Sequence, residues 1–527
     1  MMAAFRCLSA LMLVLLLPIG ALASTDHNVI SASTASKPRG VSSARTTGLA
    51  DAFAAGEGRA PTRAGGRVYV APGNIFAAIT DAMDGAALAH SRDAAAPFDV
   101  HWSEDYPYAS KELRASIRGG VVRKVNHLPG IFYLAAKASF CDILMAWKRK
   151  FGAAYAGVTP ECYVLQLARD RKALQRRFAA DEASGKSSVW MAKLGAHRNT
   201  SLLSSADEVP SDPDHVIQRY IESPYLVDKH KFELRVFVVI TCLEPLTIYL
   251  HRDSYLRVAT SPYEHDVLAP AARQNEGMYK MGDVMVQTKW SIGEFLEYLQ
   301  DEGHNATAVM GRAKAAIVKS IIAVEGQLHD AWTADKMALG DDPRRAFELL
   351  GYDIMFDEQL QPSILEANFN PDLNVYKAED EVKRGVSKDL LRLVGAVPPK
   401  DASALKPLPL RNRTAALELA GLLGVPKCTQ TQVGHLGMQP WRPTATDRPL
   451  VCLGDYDLNI ALEAERELRR AGAFERLIPS RWASPLQAKF SASHRYADLL
   501  MRRVLLTSTG ASPAAAEDNA GPYKFEL

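Results

Sequence analysis

Residues 352–373 have the sequence YDIMFDEQLQPSILEANFNPDL. Two strand-like runs, YDIMFD and SILEANF, flank the polar turn EQLQP, so the pattern predicts a β-hairpin. A turn centred near residues 359–360 places Asp353 opposite Glu366. One face of the hairpin is then apolar and carries Ile354, Phe356, Leu365 and Ala367. The other face is polar and carries Asp353, Glu366 and Asn368.

The polar face of this hairpin predicts a metal site. Carboxylates that face each other across two strands repel, unless a cation lies between them. Two carboxylates and an amide oxygen are ligands that suit a hard ion such as Mg²⁺. We therefore expect Asp353, Glu366 and Asn368 to bind Mg²⁺. The alternative is an edge hairpin whose acidic face is solvated.

A second charged strand is predicted within KHKFELRVFVVI, residues 229–240. Lys231, Glu233 and Arg235 alternate with apolar residues, which is the period of a strand with one charged and one buried face. The runs LTIYLHR and YLRVAT, which contains Arg257, predict two further strands. The charged face is either a solvated sheet surface or the lining of a site.

Two lysines add positive charge to this set. Lys193 ends a short apolar strand in VWMAKLGAH, and Lys137 lies on a predicted helix in GIFYLAAKASF. Each alone is typical of a surface lysine. Together with a Mg²⁺ site they indicate phosphoryl transfer, which spreads negative charge over phosphate oxygens. The chain has no Walker A motif, no kinase set of HRD and DFG motifs together, and no GxGxxG after a strand.

The order of these motifs resembles the tubulin tyrosine ligase-like family over roughly residues 100–480. The matching segments are VNHLPGI and Lys137, VTPECYVL (158–165), W-x-x-K (190–193), QRYIESPYLV (218–227), KFELRVFVVIT (231–241), PLTIYLHRDSYLRVATSPY (245–263), KWSIGEFLEYLQDEG (289–303), LGYDIMFDEQLQPSILEANFNPDL (350–373) and AGAFERLIPS (471–480). The resemblance implies an α/β (α+β) fold of the ATP-grasp type. The nucleotide would lie between two α+β subdomains that follow an N-terminal α/β domain.

The resemblance also implies a reaction and its residues. ATP would activate a protein carboxylate as an acyl phosphate, and the amine of a free amino acid would displace the phosphate. Arg235 and Arg257 would bind the γ-phosphate and the reacting carboxylate, and Mg²⁺ would sit on the predicted metal ligands. The implied ATP-binding residues are Lys137, Lys193, Gln218, Arg219, Tyr220, Ile221, Lys231 and Asp353.

The chain departs from the family in two segments. After Lys193 it has LGAHRNTSLLSS, with one glycine, where the family commonly has K-P-x-x-x-x-x-G-x-G. The stretch KMGD (280–283) stands where H-L-T-N is common, and a glycosylation sequon at Asn199 falls inside the first segment. The alternatives are therefore a degenerate relative that acts as a nucleotide- or protein-binding module, and an ATP-grasp ligase for small molecules.

The chain termini predict a compartment. Arg6, the apolar run LSALMLVLLLPIGALA and the small residues before Ser24 are typical of a cleaved secretory signal. The run is shorter than the roughly 20 residues of a membrane span, although an uncleaved anchor is the alternative. The C-terminal KFEL (524–527) resembles KDEL, which predicts the lumen of the endoplasmic reticulum. We expect a secretory acceptor with acidic side chains or an acidic C-terminus, rather than tubulin.

Composition excludes one class of partner. The 527 residues carry a formal net charge of +2, and no basic run alternates with aromatic residues, so nucleic acid is not expected. The widely spaced cysteines predict buried thiols with at most one disulfide, and no zinc site. We expect a monomer without a membrane span after signal removal.

The predicted segments are a signal peptide (1–23), a linker (24–66), an N-terminal domain (67–157), a central subdomain (158–230), a C-terminal subdomain (231–400), a loop-rich insertion (401–450), a helical segment (451–510) and a flexible tail (511–527).

Overall fold

The structure is a computed structural model that describes residues 67–507. Gaps in this description fall at 72–74, 93–98, 105, 110, 112, 115–123, 187, 195–199, 270–285, 340–341, 376–379, 397–454 and 492–494. The predictions for the signal peptide, the linker, Asn199, KMGD, the insertion and the KFEL tail lie outside the described residues.

The strands of the described residues form two sheets. They are β1 (Arg67–Val70), β2 (Leu88–Ser91), β3 (Val100–His101), β4 (Lys124–Asn126), β5 (Cys162–Val164), β6 (Trp190–Lys193), β7 (Ser201–Leu203), β8 (Val216–Arg219), β9 (Leu226–Val227), β10 (His230–Leu243), β11 (Leu246–His251), β12 (Tyr255–Pro262), β13 (Val286–Ser291), β14 (Ala346–Phe356), β15 (Pro362–Asn368) and β16 (Phe474–Ile478).

Helices cover these sheets. They are α1 (Ala77–Gly85), α2 (Phe132–Ala135), α3 (Lys137–Phe151), α4 (Ala168–Ala183), α5 (Ile292–Asp301), α6 (Ala306–Leu339), α7 (Asp380–Leu393), α8 (Asp455–Arg469), α9 (Ser484–Phe490) and α10 (Tyr496–Thr507). Among the described residues, no helix combines the length and the apolar character that crossing a bilayer requires.

The large sheet is mixed and runs in the order β13-β12-β10-β14-β4-β3-β1-β2. Strands β9, β11, β15 and β16 pair at its sides. Strands β1 to β4 pair in parallel, and β4 joins β14 in parallel, whereas β10 pairs with its neighbours in antiparallel fashion. The mixed α/β class predicted from the sequence is confirmed.

Strand β10 crosses the centre of this sheet and is buried over nearly its whole length. Phe232, Leu234 and Val236 face a core formed mainly with α6. On the opposite face, Phe237 and Val239 belong to a second core packed by α1 and α7. Covering both faces with helices explains why a strand this apolar is stable in the middle of the sheet.

The hairpin β14–β15 confirms the predicted pairing of Asp353 with Glu366. A shift of register follows at once, so that Ile354 pairs with Ile364. The prediction that Leu365 shares the apolar face is therefore wrong. The extra residue of the bulge turns Leu365 toward a cavity, and Ile364 takes its place in the core.

The small sheet is antiparallel, in the order β5-β8-β6-β7 within the described residues. Its Trp190 and Ile217 pack against Leu174 and Phe178 of α4. On the other face of the small sheet, Cys162 forms a disulfide with Cys141 of α3. Cys242, on β10 of the large sheet, is a buried free thiol. The expected combination of one disulfide with a buried thiol is confirmed for these three cysteines.

Candidate active site

The charged half of β10 is buried. Lys231, Glu233 and Arg235 are 3%, 9% and 4% exposed, so the alternative of a solvated sheet surface is wrong. They share the face of β10 that becomes apolar further along at Phe237. Ionic groups removed from water in this way need charged partners, because burial of an unpaired charge is costly. The neighbouring strands supply those partners.

Asp353 of β14 lies at the centre of the charge network. Its Oδ1 accepts a hydrogen bond from Arg235 Nε at 2.5 Å, and its Oδ2 accepts one from Arg235 Nη2 at 3.0 Å. Arg257 Nη2 on β12 lies 2.9 Å from Asp353 Oδ2 and 2.5 Å from Glu233 Oε2. The two arginines that the resemblance assigns to the reaction therefore meet at one predicted metal ligand.

Glu366 and Asn368 complete the predicted metal set. Asn368 Nδ2 lies 3.3 Å from Asp353 Oδ2 and 3.2 Å from Glu366 Oε1, so the three side chains are mutual neighbours. Lys137 Nζ, at the first turn of α3, lies 3.1 Å from Glu366 Oε2. The opposed carboxylates are therefore held together by cationic and amide groups, as the hairpin pattern requires.

The donor chemistry of this set fits Mg²⁺. All three side chains offer oxygen, and a half-turn of the Asn368 amide presents its Oδ1 to the space between the carboxylates. Burial, together with the nearby charges of Asp353 and Glu366, raises the pKa of Glu233 against the opposing effect of Arg257. A divalent cation beside these carboxylates would offset their repulsion. Among the described residues, no group of three His, Cys, Asp or Glu side chains forms a metal cluster.

Lys193 connects the small sheet to this network. Its Nζ donates to Gln218 Oε1 at 2.5 Å. Burial lowers the pKa of Lys193, while the charges of Glu366 and Glu233 raise it in part. The two sheets therefore bring their charged groups to the same space.

The QRYI segment divides between two sides of β8. The Tyr220 hydroxyl accepts a hydrogen bond from Lys231 Nζ at 3.1 Å, and the ammonium lies 4.5 Å from the ring centre. Burial lowers the pKa of Lys231 to about 8, against the opposing charge of Glu233. Arg219 points the other way, and its guanidinium lies 5.6 Å from the ring centre of Trp190. Ile221 follows and is half-buried.

A cavity lies between the small sheet and the hairpin, with about 320 Å³ of empty space that includes its opening to solvent. Lys137, Lys193, Gln218 and Glu366 line it, together with both cysteines of the disulfide. The cavity thus collects predicted phosphate-binding and metal-binding groups within an otherwise apolar wall.

Two residues that support the site, Glu348 and Gly351, were not predicted from the sequence. Glu348 of β14 accepts hydrogen bonds from Leu128 N and His127 Nδ1, both at 2.8 Å, which holds the chain that leads into α2 and α3. Gly351 lies against Arg235 and Pro371, since a Cβ there would come within 3.4 Å of Arg235 Cδ and 2.8 Å of Pro371 Cβ. The motif VNHLPG and a glycine inside a strand were the available signals.

Comparison with known proteins identifies several relatives of the chain. The chain is 27% identical over 406 residues to the human tubulin monoglutamylase TTLL4, and 26% identical over 445 residues to the Pongo abelii tubulin polyglutamylase TTLL5. These alignments cover 72% and 77% of the chain but 33% of each relative. A probable beta-tubulin polyglutamylase of Tetrahymena thermophila is 27% identical over 321 residues, which are 56% of the chain and 26% of that relative.

A family-wide comparison extends beyond single relatives. Residues 115–405, more than half of the chain, match the profile of the Tubulin-tyrosine ligase family. This range includes every predicted site residue from Lys137 to Asn368. The resemblance inferred from the motif order is thereby confirmed, and the chain belongs to the tubulin-tyrosine ligase family.

Proposed function

We propose that the chain is an ATP- and Mg²⁺-dependent ligase that joins an amino acid to a carboxylate of a protein. The observation that carries the proposal is the convergence of Arg235 and Arg257 on Asp353, which faces Glu366 and Asn368. Lys137 and Lys193 line the adjoining cavity. Such a cluster of cations and oxygen ligands suits a triphosphate and the charge that develops when it reacts.

The proposed ligation has two steps. An oxygen of the acceptor carboxylate attacks the γ-phosphorus, the bond to the β-phosphate oxygen breaks, and ADP leaves. The neutral amine of the free amino acid then attacks the acyl carbon, the bond from that carbon to the phosphate oxygen breaks, and the amine proton leaves with the inorganic phosphate as the amide forms. Arg235 and Arg257 would hold the acceptor carboxylate and the transferred phosphoryl group close together, because they are fixed by two carboxylates in a buried position.

The metal ion would be held by Asp353, Glu366 and Asn368. When bound, Mg²⁺ supplies charge neutralisation for the phosphate oxygens. Lys231 and Tyr220 would contribute a cationic and aromatic wall for the nucleotide, since the ammonium and the ring are already in contact.

Glutamate is the amino acid to test first. The relatives carry the names monoglutamylase and polyglutamylase, which denote transfer of glutamate to tubulin. We infer a different acceptor here, a secretory protein with acidic side chains or an acidic C-terminus. The signal-like N-terminus and KFEL support this inference, and so does the disulfide, because disulfides persist in oxidising compartments.

An ATP titration at several Mg²⁺ concentrations tests the proposal. The full chain is titrated with ATP and then incubated with labelled glutamate and candidate secretory acceptors, whose masses are measured. Glu366→Gln should abolish Mg²⁺-dependent ATP binding and transfer. Glu358→Gln, which changes an exposed carboxylate in the turn of the same hairpin, should leave both unchanged.

A second candidate function is a binding module without catalysis. The single glycine after Lys193 and the stretch KMGD, both outside the described residues, favour it. ATP binding without transfer to any acceptor would support this module. Absence of ATP binding in the parent chain would exclude the ligase.

A further inference from the structure

The Cys141–Cys162 disulfide lies in the wall of the candidate nucleotide cavity. Both cysteines line the cavity and are almost fully buried, at 2% and 3% exposed. Their Cα atoms are 5.9 Å apart, and 21 positions separate them in the sequence. The bond therefore closes a loop of chain directly beside groups that would contact ATP.

The bond joins two elements that both line the cavity. Cys141 lies one turn after Lys137 on α3, and Lys137 reaches Glu366 on the large sheet. Cys162 pairs directly with Gln218 across β5 and β8, and Gln218 holds Lys193. One covalent link thus connects the helix bearing one cavity lysine to the sheet bearing the other.

Noncovalent packing at this junction is modest. The hydrophobic cluster around the disulfide has five buried members, whereas each face of the large sheet has a far larger core. The members are Cys141, Met145, Cys162, Val164 and Val216. Loss of the covalent bond would leave this small cluster and the ion pair between Asp142 of α3 and Arg169 of α4 to maintain the distance between α3 and the small sheet.

We propose that the Cys141–Cys162 disulfide is a positioning element for the nucleotide site, which keeps Lys137 and Lys193 at a spacing that binds ATP. This inference rests on the proposed ATP-dependent function. It makes ATP affinity sensitive to reduction. A dithiol reductant gives two electrons and two protons to the disulfide, which becomes two thiols, and the reductant itself becomes a cyclic disulfide.

Thermodynamic linkage gives the inference a second consequence. If reduction weakens ATP binding by some factor, bound nucleotide must favour the disulfide form by the same factor. A tenfold effect corresponds to a shift of about 30 mV in the midpoint potential of a two-electron couple. A bond that only supports the fold, without acting on the site, would show no such shift.

The experiment uses the full chain with Cys7, Cys428 and Cys452 replaced by alanine, which leaves Cys242 as the remaining thiol beside the disulfide pair. ATP with Mg²⁺ is titrated into oxidised, reduced and reoxidised protein. We expect at least tenfold weaker binding after reduction, recovery on reoxidation, and an unchanged far-ultraviolet circular dichroism spectrum. The midpoint potential is measured with and without a saturating non-hydrolysable ATP analogue, which should lower it by about 30 mV or more.

Controls separate this inference from the proposed function. Cys242→Ala in the same background should keep the full response, whereas Cys141→Ala with Cys162→Ala should bind ATP weakly and ignore the reductant. Equal ATP affinity in oxidised and reduced protein would overturn the positioning role and leave the ligase proposal intact. Loss of the fold on reduction would also overturn it, because the bond would then be structural only. If even oxidised protein fails to bind ATP, both proposals fall.

Discussion

At the scale of single residues, the site is a balance of buried charges around Asp353. The Asp353 carboxylate is 1% exposed and contacts the guanidinium groups of Arg235 and Arg257. Arg257 also contacts Glu233. Glu366 is more accessible and pairs with one lysine. Two residues with the same predicted role as metal ligands therefore stand in different electrostatic environments.

This difference predicts unequal effects on stability. Asp353→Asn leaves Arg235 and Arg257 with too little negative charge in a buried place, so it should lower the free energy of unfolding by about 3 kcal/mol. Glu366→Gln removes a partly exposed pair and should cost less than about 1 kcal/mol. Urea unfolding of both variants checks this, and equal losses would contradict the central role of Asp353. Both variants should lose Mg²⁺-dependent ATP binding.

The lowered pKa of Lys231 predicts that ATP affinity and protein stability change in opposite directions as the pH rises. Its pKa is about 8, because burial disfavours the charged ammonium. Below pH 8 the charged form attracts phosphate, so ATP affinity should fall as the pH rises from 7 to 9. The unfolded chain, with a lysine pKa of roughly 10.4, binds more protons between these values, so stability of the free protein should rise from pH 8 to 10.

The check for Lys231 uses ATP titrations and urea unfolding across this pH range. Lys231→Met should flatten both dependences, and it also corrects for titration of ATP itself. An ATP affinity that falls equally in wild type and in Lys231→Met would show that this ammonium does not contact the nucleotide.

At the scale of elements, β10, β12 and the hairpin β14–β15 act as one rigid support. Arg235 pairs directly with Asp353 across β10 and β14, and Glu233 pairs directly with Arg257 across β10 and β12. Strand pairing therefore aligns each arginine with its carboxylate before any ligand binds. Such alignment reduces the conformational entropy that these side chains lose when a ligand binds.

Two glycines test how closely this support is packed. Gly351→Ala would place a Cβ 2.8 Å from Pro371 and 3.4 Å from Arg235 Cδ, so we expect about 1–3 kcal/mol lower stability and weaker ATP binding. Gly326→Ala, on an exposed position of α6 with no atom within 4 Å, should instead stabilise by about 0.5–1 kcal/mol. Thermal unfolding of the two variants gives the comparison, and a neutral Gly351→Ala would refute the packing argument.

At the scale of the whole molecule, the Cys141–Cys162 disulfide bears on the cellular compartment in which the protein folds. Closing a loop of this length stabilises a folded chain by about 3 kcal/mol in the chain-entropy account. Disulfides form and persist mainly in oxidising compartments. The secretory location that we propose would supply such an environment.

The location is tested in cells that express the full chain. Wild type should be retained in the endoplasmic reticulum, and deletion of residues 524–527 should release it into the medium. Addition of two alanines after Leu527 should do the same, because a receptor for such a signal requires the terminal carboxylate. Association of the intact protein with microtubules would refute the secretory proposal.

Much of the site could be predicted from local pattern. Alternation of side chains along a strand placed Lys231, Glu233 and Arg235 on one face, and the short turn placed Asp353 opposite Glu366. These inferences succeed because the period of a strand and the geometry of a hairpin depend on neighbouring residues alone. Leu365 was misplaced, since a β-bulge is a departure from that period which the apolar pattern does not reveal.

Other features were decided by the tertiary structure. Burial of Arg235 and Arg257, the approach of Lys137 and Lys193 to one cavity, and the support of Arg235 by Gly351 depend on strands that meet from distant parts of the chain. The partner of Cys141 also became clear only when α3 was packed on the small sheet. The sequence alone determined which groups could carry the chemistry, through their type and spacing. Only packing decided which of them meet and which lose water, because the free energy of a buried charge depends on neighbours that are remote in sequence.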